Sequence, residues 1–208
     1  MDGPAFVEAV EDETATELGR LGSDKYLIAA TGADLSASPV LESVARTAAD
    51  GRAAFESWAD DADGATAEAF AAAAETEREH YERVAAELDG EPETEPEDPL
   101  GDALASASGT PARAGALVGR GLVCDRTRLQ VVNFFVNEAD ERRADLARDL
   151  RADANDQVEA GAALLETVCE GDQDWEAARD AAETVVDAAY DAYADALDAM
   201  GVDPKPVC

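Results

Sequence analysis

The single histidine of the chain, His80, follows Glu77 by three positions in ETEREHYERV, residues 75–84. Residues three apart on an α-helix share a face. This Glu-x-x-His therefore aims one carboxylate and one imidazole at the same region, a pairing able to ligate a divalent metal such as iron. Glu77 also falls on an apolar stripe with Phe70, Ala74, Tyr81, Val84 and Leu88, where an uncompensated carboxylate would be costly. A metal is one form of compensation. Hydrogen bonding of Glu77 and His80 to neighbouring polar side chains is the other. In the second half of the chain, Asp125 shares a stripe with Leu122, Leu129, Val132 and Val136, and Asp153 one with Leu146, Leu150, Gln157, Ala160 and Leu164; Asp156 stands three positions after Asp153. The candidate metal-ligating set is Glu77, His80, Asp125, Asp153 and Asp156.

Other chemistries fail on residue supply. A Cys-His nucleophile pair would need His80, and no cysteine lies near it in the sequence. Cys124, Cys169 and Cys208 are odd in number and contain no C-x-x-C pair, which predicts reduced thiols and excludes a four-cysteine iron centre. GALVGRG, residues 115–121, lacks the lysine and the preceding strand of a phosphate loop; its glycines predict close helix packing instead. Positive charge is dense in one stretch only, from Arg113, Arg120, Arg126 and Arg128 through Arg142, Arg143, Arg148 and Arg151. Pairing within helices to Asp145, Asp149 and Asp153 accounts for it most simply. The alternative is a docking face for an acidic partner or RNA, with Arg113, Arg120, Arg126 and Arg128 as its contact residues.

The elements that must position these groups are helices. Alanine is the commonest residue, Asp and Glu occupy the polar faces, and no run alternates with period two for long. Helices are predicted from about Pro4 to Arg20, through KYLIAATG, from a Ser38-Pro39 start to about Asp60, and from Ala65 to Leu88. The proline-rich acidic stretch 89–99 is a linker. Beyond it come a short helix near 100–107, one from Thr110-Pro111 to about Asn137, one to about Cys169, and one from Asp172 to Met200. The expected organisation is a single all-α domain over 1–208. It comprises an N-terminal helical region (1–38), a first hairpin (39–89), an acidic linker with a short helix (90–109), a second hairpin (110–169), and a C-terminal helix and tail (170–208).

The 208-residue chain carries 48 acidic against 16 basic residues, a net charge of −32, at 46% hydrophobic content. That content supports a sizeable core. Only Lys25 and Lys205 are lysines. Such a surface suits concentrated salt, where a Debye length of about 3 Å screens the carboxylates from one another. The start MDGPAFVEAVEDE resembles no signal peptide, and no run reaches the ~18 to 20 apolar residues of a membrane span. A cytoplasmic location is expected.

The two halves match. From Ala48 to Glu77 is 29 residues and from Asp125 to Asp153 is 28, and each second helix carries a polar group three positions on, His80 or Asp156. Over roughly residues 39–168 this resembles the duplicated hairpin of ferritin-like, rubrerythrin-type proteins, and ETEREHYERVAAEL resembles the family's second-helix motif. The resemblance implies a ferritin-like four-helix bundle of two hairpins, with additional N- and C-terminal helices. In the family, each hairpin supplies one glutamate from its first helix and a Glu-x-x-His from its second to two irons. Glu77 and His80 fit as they stand. Ala48 falls where the first-helix glutamate belongs, Asp125 takes the place of its counterpart, and Asp153-x-x-Asp156 replaces the second Glu-x-x-His.

The expectation is a non-catalytic ferritin-like bundle of a halophile, acting through protein or ribonucleoprotein contacts. The overall pattern resembles a haloarchaeal group associated with both the rubrerythrin family and transcription antitermination. The alternative is a rubrerythrin-like metal-binding oxidoreductase acting on peroxide or oxygen. No resident cofactor is expected on the first reading; iron or another divalent metal belongs to the second. A protein partner is expected, RNA only through the arginine-dense segment, and no membrane; the oligomeric state is left open.

Overall fold

Alanine-rich runs with acidic polar faces favour helix throughout, and among the described residues, 1–90 and 99–204 of a computed structural model, every regular element is helical. They are α1 (Gly3–Glu13), α2 (Ala15–Leu21), α3 (Tyr26–Ala30), α4 (Ala37–Asp60), α5 (Gly64–Ala85), α6 (Pro99–Ser106), α7 (Thr110–Asn137), α8 (Glu141–Val168) and α9 (Asp172–Ala199). No helix among the described residues is long and apolar enough to cross a membrane.

Two antiparallel hairpins, α4–α5 and α7–α8, form the body. Their helices pack closely within each hairpin and more sparsely between them, α5 against α8 and α4 against α7. The α7–α8 turn passes through Ala139 at φ 55°, and Asp140 then caps α8 by accepting from the Arg143 amide. The aromatic trio Phe55, Trp58 and Phe70, all buried, packs together where the first hairpin turns.

Helix α9 lies along α7. Gly115 and Gly119 face Ala178 and Ala182 so closely that a Cβ on Gly115 would run into the Ala178 carbonyl, and one on Gly119 would meet the Ala182 oxygen at 2.5 Å. Gly121 and Gly161 allow the same intimacy between α7 and α8, against Val158 and Val118. The glycines of GALVGRG are thus contact points of helix backbones. With α8 and α9 both pressed on it, α7 is buried on most of its circumference.

Three local expectations need correcting. The first helical region is two helices, which meet at Thr14, where the backbone leaves helical geometry at φ −105° and ψ 20°. Helix α4 opens at Ser36 instead of Ser38; Pro39 still lies in the first turn, where its missing N–H costs nothing. Val136 is half exposed, since the stripe assigned to α7 follows a different face from the one that meets the facing hairpin. Most of the linker and the last residues of the tail, 91–98 and 205–208, lie outside the described residues. Cys124 and Cys169 are free thiols, and Cys208 falls in that undescribed tail.

Candidate functional site

Where the hairpins face one another, the gap between α4, α5, α7 and α8 is filled by polar side chains. Helix α5 contributes Glu77 and His80 from one face, as their spacing predicts. Helix α7 contributes Arg120 and Arg128, eight positions and about two turns apart, and α8 contributes Asp153 and Gln157. Glu77, His80, Arg120, Arg128 and Gln157 are all buried, Glu77 and Arg120 with no exposed surface at all.

Arg120 occupies the centre. Its Nη1 donates to Glu77 Oε1 at 2.8 Å and to Gln157 Oε1 at 3.3 Å, and its Nη2 donates to the Thr47 carbonyl of α4 at 2.8 Å. Gln157 Nε2 donates to the same Glu77 oxygen at 2.8 Å. The guanidinium sits 5.3 Å from the Phe55 ring centre, a cation-π distance. It fits because residue 51 is glycine: any Cβ there would overlap the guanidinium. Arg120 Nε faces this wall and has no hydrogen-bond partner among the described residues.

About two turns further along α7, Arg128 Nη1 donates to the Leu150 carbonyl at 2.7 Å, and its Nη2 lies 3.4 Å from His80 Nδ1 and 3.5 Å from Glu77 Oε2. His80 Nδ1 is 3.3 Å from Glu77 Oε2, and His80 Nε2 is 2.9 Å from Asp153 Oδ2. A carboxylate only accepts, so Nε2 carries the proton and donates to Asp153. Nδ1 either accepts from Arg128 or donates to Glu77. With His80 neutral, the cluster closes electrically, two guanidiniums against the Glu77 and Asp153 carboxylates. Burial alone would push the Glu77 carboxyl up, yet Arg120, the His80 hydrogen bond and Arg128 outweigh it and hold the group well below its ordinary value of 4.5.

Of the four acids and one histidine expected to ligate a metal, three meet here: Glu77, His80 and Asp153. Asp125 does not join them. It accepts from Arg151 Nε at 2.8 Å and Asn155 Nδ2 at 3.1 Å, on the flank between α7 and α8. Asp156 is exposed. From the second hairpin, Glu77 meets Arg120, Arg128 and Gln157, and His80 meets Arg128 and the Asp153 carboxylate; among the described residues no three His, Cys, Asp or Glu side chains are arranged to hold a metal.

The four arginines read as a docking face are placed otherwise. Arg120 and Arg128 are buried in this network, which removes them from any surface. Arg113 pairs with Asp61 at 2.8 Å, and Arg126 with Glu11 at 2.8 Å. Pairing along the helix holds for Arg148 with Asp145 and Arg143 with Asp140, whereas Arg83 reaches Asp149 on α8 and Arg142 and Arg143 reach Glu87 in the turn just after α5. The sequence did carry a signal for the buried pair. Leu117, Arg120, Cys124, Arg128, Val131 and Phe135 recur at helical spacing, an apolar stripe interrupted by two arginines. No family model matches the chain, and no curated protein or solved structure is significantly similar to it.

Proposed function

We propose that the chain is a non-catalytic bundle of the ferritin-like, rubrerythrin-resembling type, in which two arginine guanidiniums take the central place that metal cations hold in that family, and that it acts through contacts with other proteins. One observation carries the reading: Arg120 and Arg128 lie between the facing helices and consume Glu77 and His80 as hydrogen-bond partners. A guanidinium is a fixed, planar, redox-inert cation. It neutralises the inward carboxylate as a metal would, but offers no open coordination position for peroxide or oxygen. Ala48, fully buried on α4, supplies no carboxylate at the position where the resemblance expects one.

A ribonucleoprotein role through the arginine-dense segment loses its principal contacts with Arg120 and Arg128 buried, so a protein partner is the favoured branch. The net charge of −32 supports a working environment of molar salt.

The convergence of Glu77, His80 and Asp153 favours a second reading, an oxidoreductase in which Arg128 moves aside for a metal. Metal analysis of untagged protein purified in molar KCl, with a peroxide turnover assay on the same preparation, separates the two. The proposal expects well under one transition metal per chain and no turnover, and His80→Ala leaves the metal content unchanged. Close to two irons per chain with peroxide turnover overturns it.

A further inference from the structure

Helix α1 has 11 residues, short of the ~12 to 15 at which even favourable sequences begin to hold a helix unaided. It persists because Gly3, Phe6 and Val10 on one face are buried against α8 and α9. A Cβ on Gly3 would stand 2.8 Å from the Ala162 carbonyl oxygen of α8, the Gly3 amide donates to Glu166 at 2.8 Å, and the Phe6 ring centre lies 5.8 Å from that of Trp175 on α9. The chain then leaves helical geometry at Thr14. Beyond this joint α2 has its own anchors: Leu18 and Leu21 are buried, and Gln130 of α7 donates to the Gly22 carbonyl at 2.6 Å. Helix α1 can therefore swing about Thr14 while α2 stays seated.

The end of α1 next to that joint is held by like charges. Glu13 of α1 and Glu183 of α9 share the Arg179 guanidinium, at 3.5 and 3.7 Å, and they hydrogen-bond one another. An ionised carboxylate only accepts, so this bond exists only while one of the two is protonated. Asp180 adds a further negative charge from α9 itself, and three carboxyl groups thus crowd one guanidinium. Glu17 belongs to α2 and acts on Asp187, next to Asp191. From α7, Arg126 pairs with Glu11 of α1 at 2.8 Å, while Gly115 and Gly119 bring only backbone against this part of α9.

We propose that α1 is a pH-responsive cover: a proton shared by Glu13 and Glu183 clamps it, and loss of that proton lets it swing off the apolar surface of α8 and α9. Burial, followed by the hydrogen bond and charge of Glu13, pushes the Glu183 carboxyl up to about 7, which sets the change near neutrality. The closed form keeps a proton that the open form releases between about 4.5 and 7. Opening therefore grows as pH rises through that window and levels off above it.

Amide hydrogen exchange of the full chain in molar KCl from pH 5 to 8, expressed as protection relative to the unstructured rate at each pH, reads the opening. Protection of the amides from Val7 to Asp12 should lie below that of α7 throughout and fall by ~10-fold or more between pH 5 and 8. Glu183→Gln keeps a hydrogen bond to Glu13 without a titrating proton and should abolish the fall, and Glu13→Gln should lessen it. Equal protection of α1 and α7 at every pH would mean that α1 opens only with the whole molecule, and overturns the proposal. So does protection of α1 that is flat with pH, or a fall that survives in Glu183→Gln.

Discussion

Replacing Arg120 by methionine keeps the length of the side chain and removes its charge. Glu77 then stays buried with Gln157 at 2.8 Å, His80 at 3.3 Å and Arg128 at 3.5 Å, having lost its 2.8 Å guanidinium partner. The Thr47 carbonyl loses its donor from Arg120 as well. Breaking a buried ion pair by removing one partner costs about 3 to 5 kcal/mol, because the remaining charge is left short of compensation. Arg120→Met should fall in that range. Arg120→Met combined with Glu77→Leu removes both charges and should cost less than the two single changes added together, by about 2 kcal/mol or more. Urea unfolding of the wild type, both single variants and the double variant in molar KCl, followed by circular dichroism, reads all four corners of the cycle. The acid limb adds an independent check. Glu77 is held well below 4.5 when folded, so its stabilisation is complete above the unfolded value and is lost as pH falls through the folded one. Arg120→Met raises the folded value and should shift acid unfolding to higher pH. A loss below ~1 kcal/mol for Arg120→Met, or strict additivity in the double variant, would refute the view that the guanidinium compensates a buried carboxylate.

Gly115→Ala places a methyl group on the Ala178 carbonyl and must push α9 off α7. A loss of about 1 to 3 kcal/mol is expected for such overpacking, and thermal unfolding unchanged from the wild type would contradict the close α7–α9 contact. The Glu183 carboxyl on α9 is pushed up to about 7, first by burial and then by the hydrogen bond and charge of Glu13 on α1. The folded state therefore holds an extra proton between about 4.5 and 7, and this group's contribution to stability falls as pH rises through that window. Glu183→Gln should flatten the fall, and melting temperatures of the two proteins from pH 4.5 to 8 measure it; parallel profiles would contradict the assignment. Finally, 48 acidic residues against 16 basic ones predict self-repulsion when unscreened. Helicity should decline in dilute buffer and recover in molar KCl, and constant ellipticity down to low millimolar salt would remove the case for a halophilic setting.

Much of the architecture was legible before any coordinates. Helix is the state that alanine and alternating acidic faces favour locally, and proline and glycine punctuate it locally, so the long helices and their order follow from short-range chemistry. The stripe that carries Glu77 was legible too: Phe70, Ala74, Glu77 and Val84 are all buried, and the cost of burying a lone carboxylate correctly demanded a partner. The break at Thr14 falls inside a run that reads locally as one continuous helix.

The identity of that partner is what only the tertiary structure decided. Periodicity locates an apolar face relative to its own helix, and α7, pressed by α8 and α9 and facing α5 across the gap, is buried on most sides, with apolar residues spread around it. Its rotation was therefore undetermined, and the face through Leu122 and Asp125 competed with the one through Arg120 and Arg128. Asp125 turned to Arg151 on the flank, and Arg120 turned inward to a glutamate 43 positions earlier. The space for that guanidinium comes from the missing side chain of Gly51 on a third helix. Local chemistry determined that this protein is made of helices and that Glu77 needs a counter-charge; the packing of α4, α5, α7 and α8 decided that an arginine supplies it, because long-range contacts alone set how a helix buried on most sides is turned.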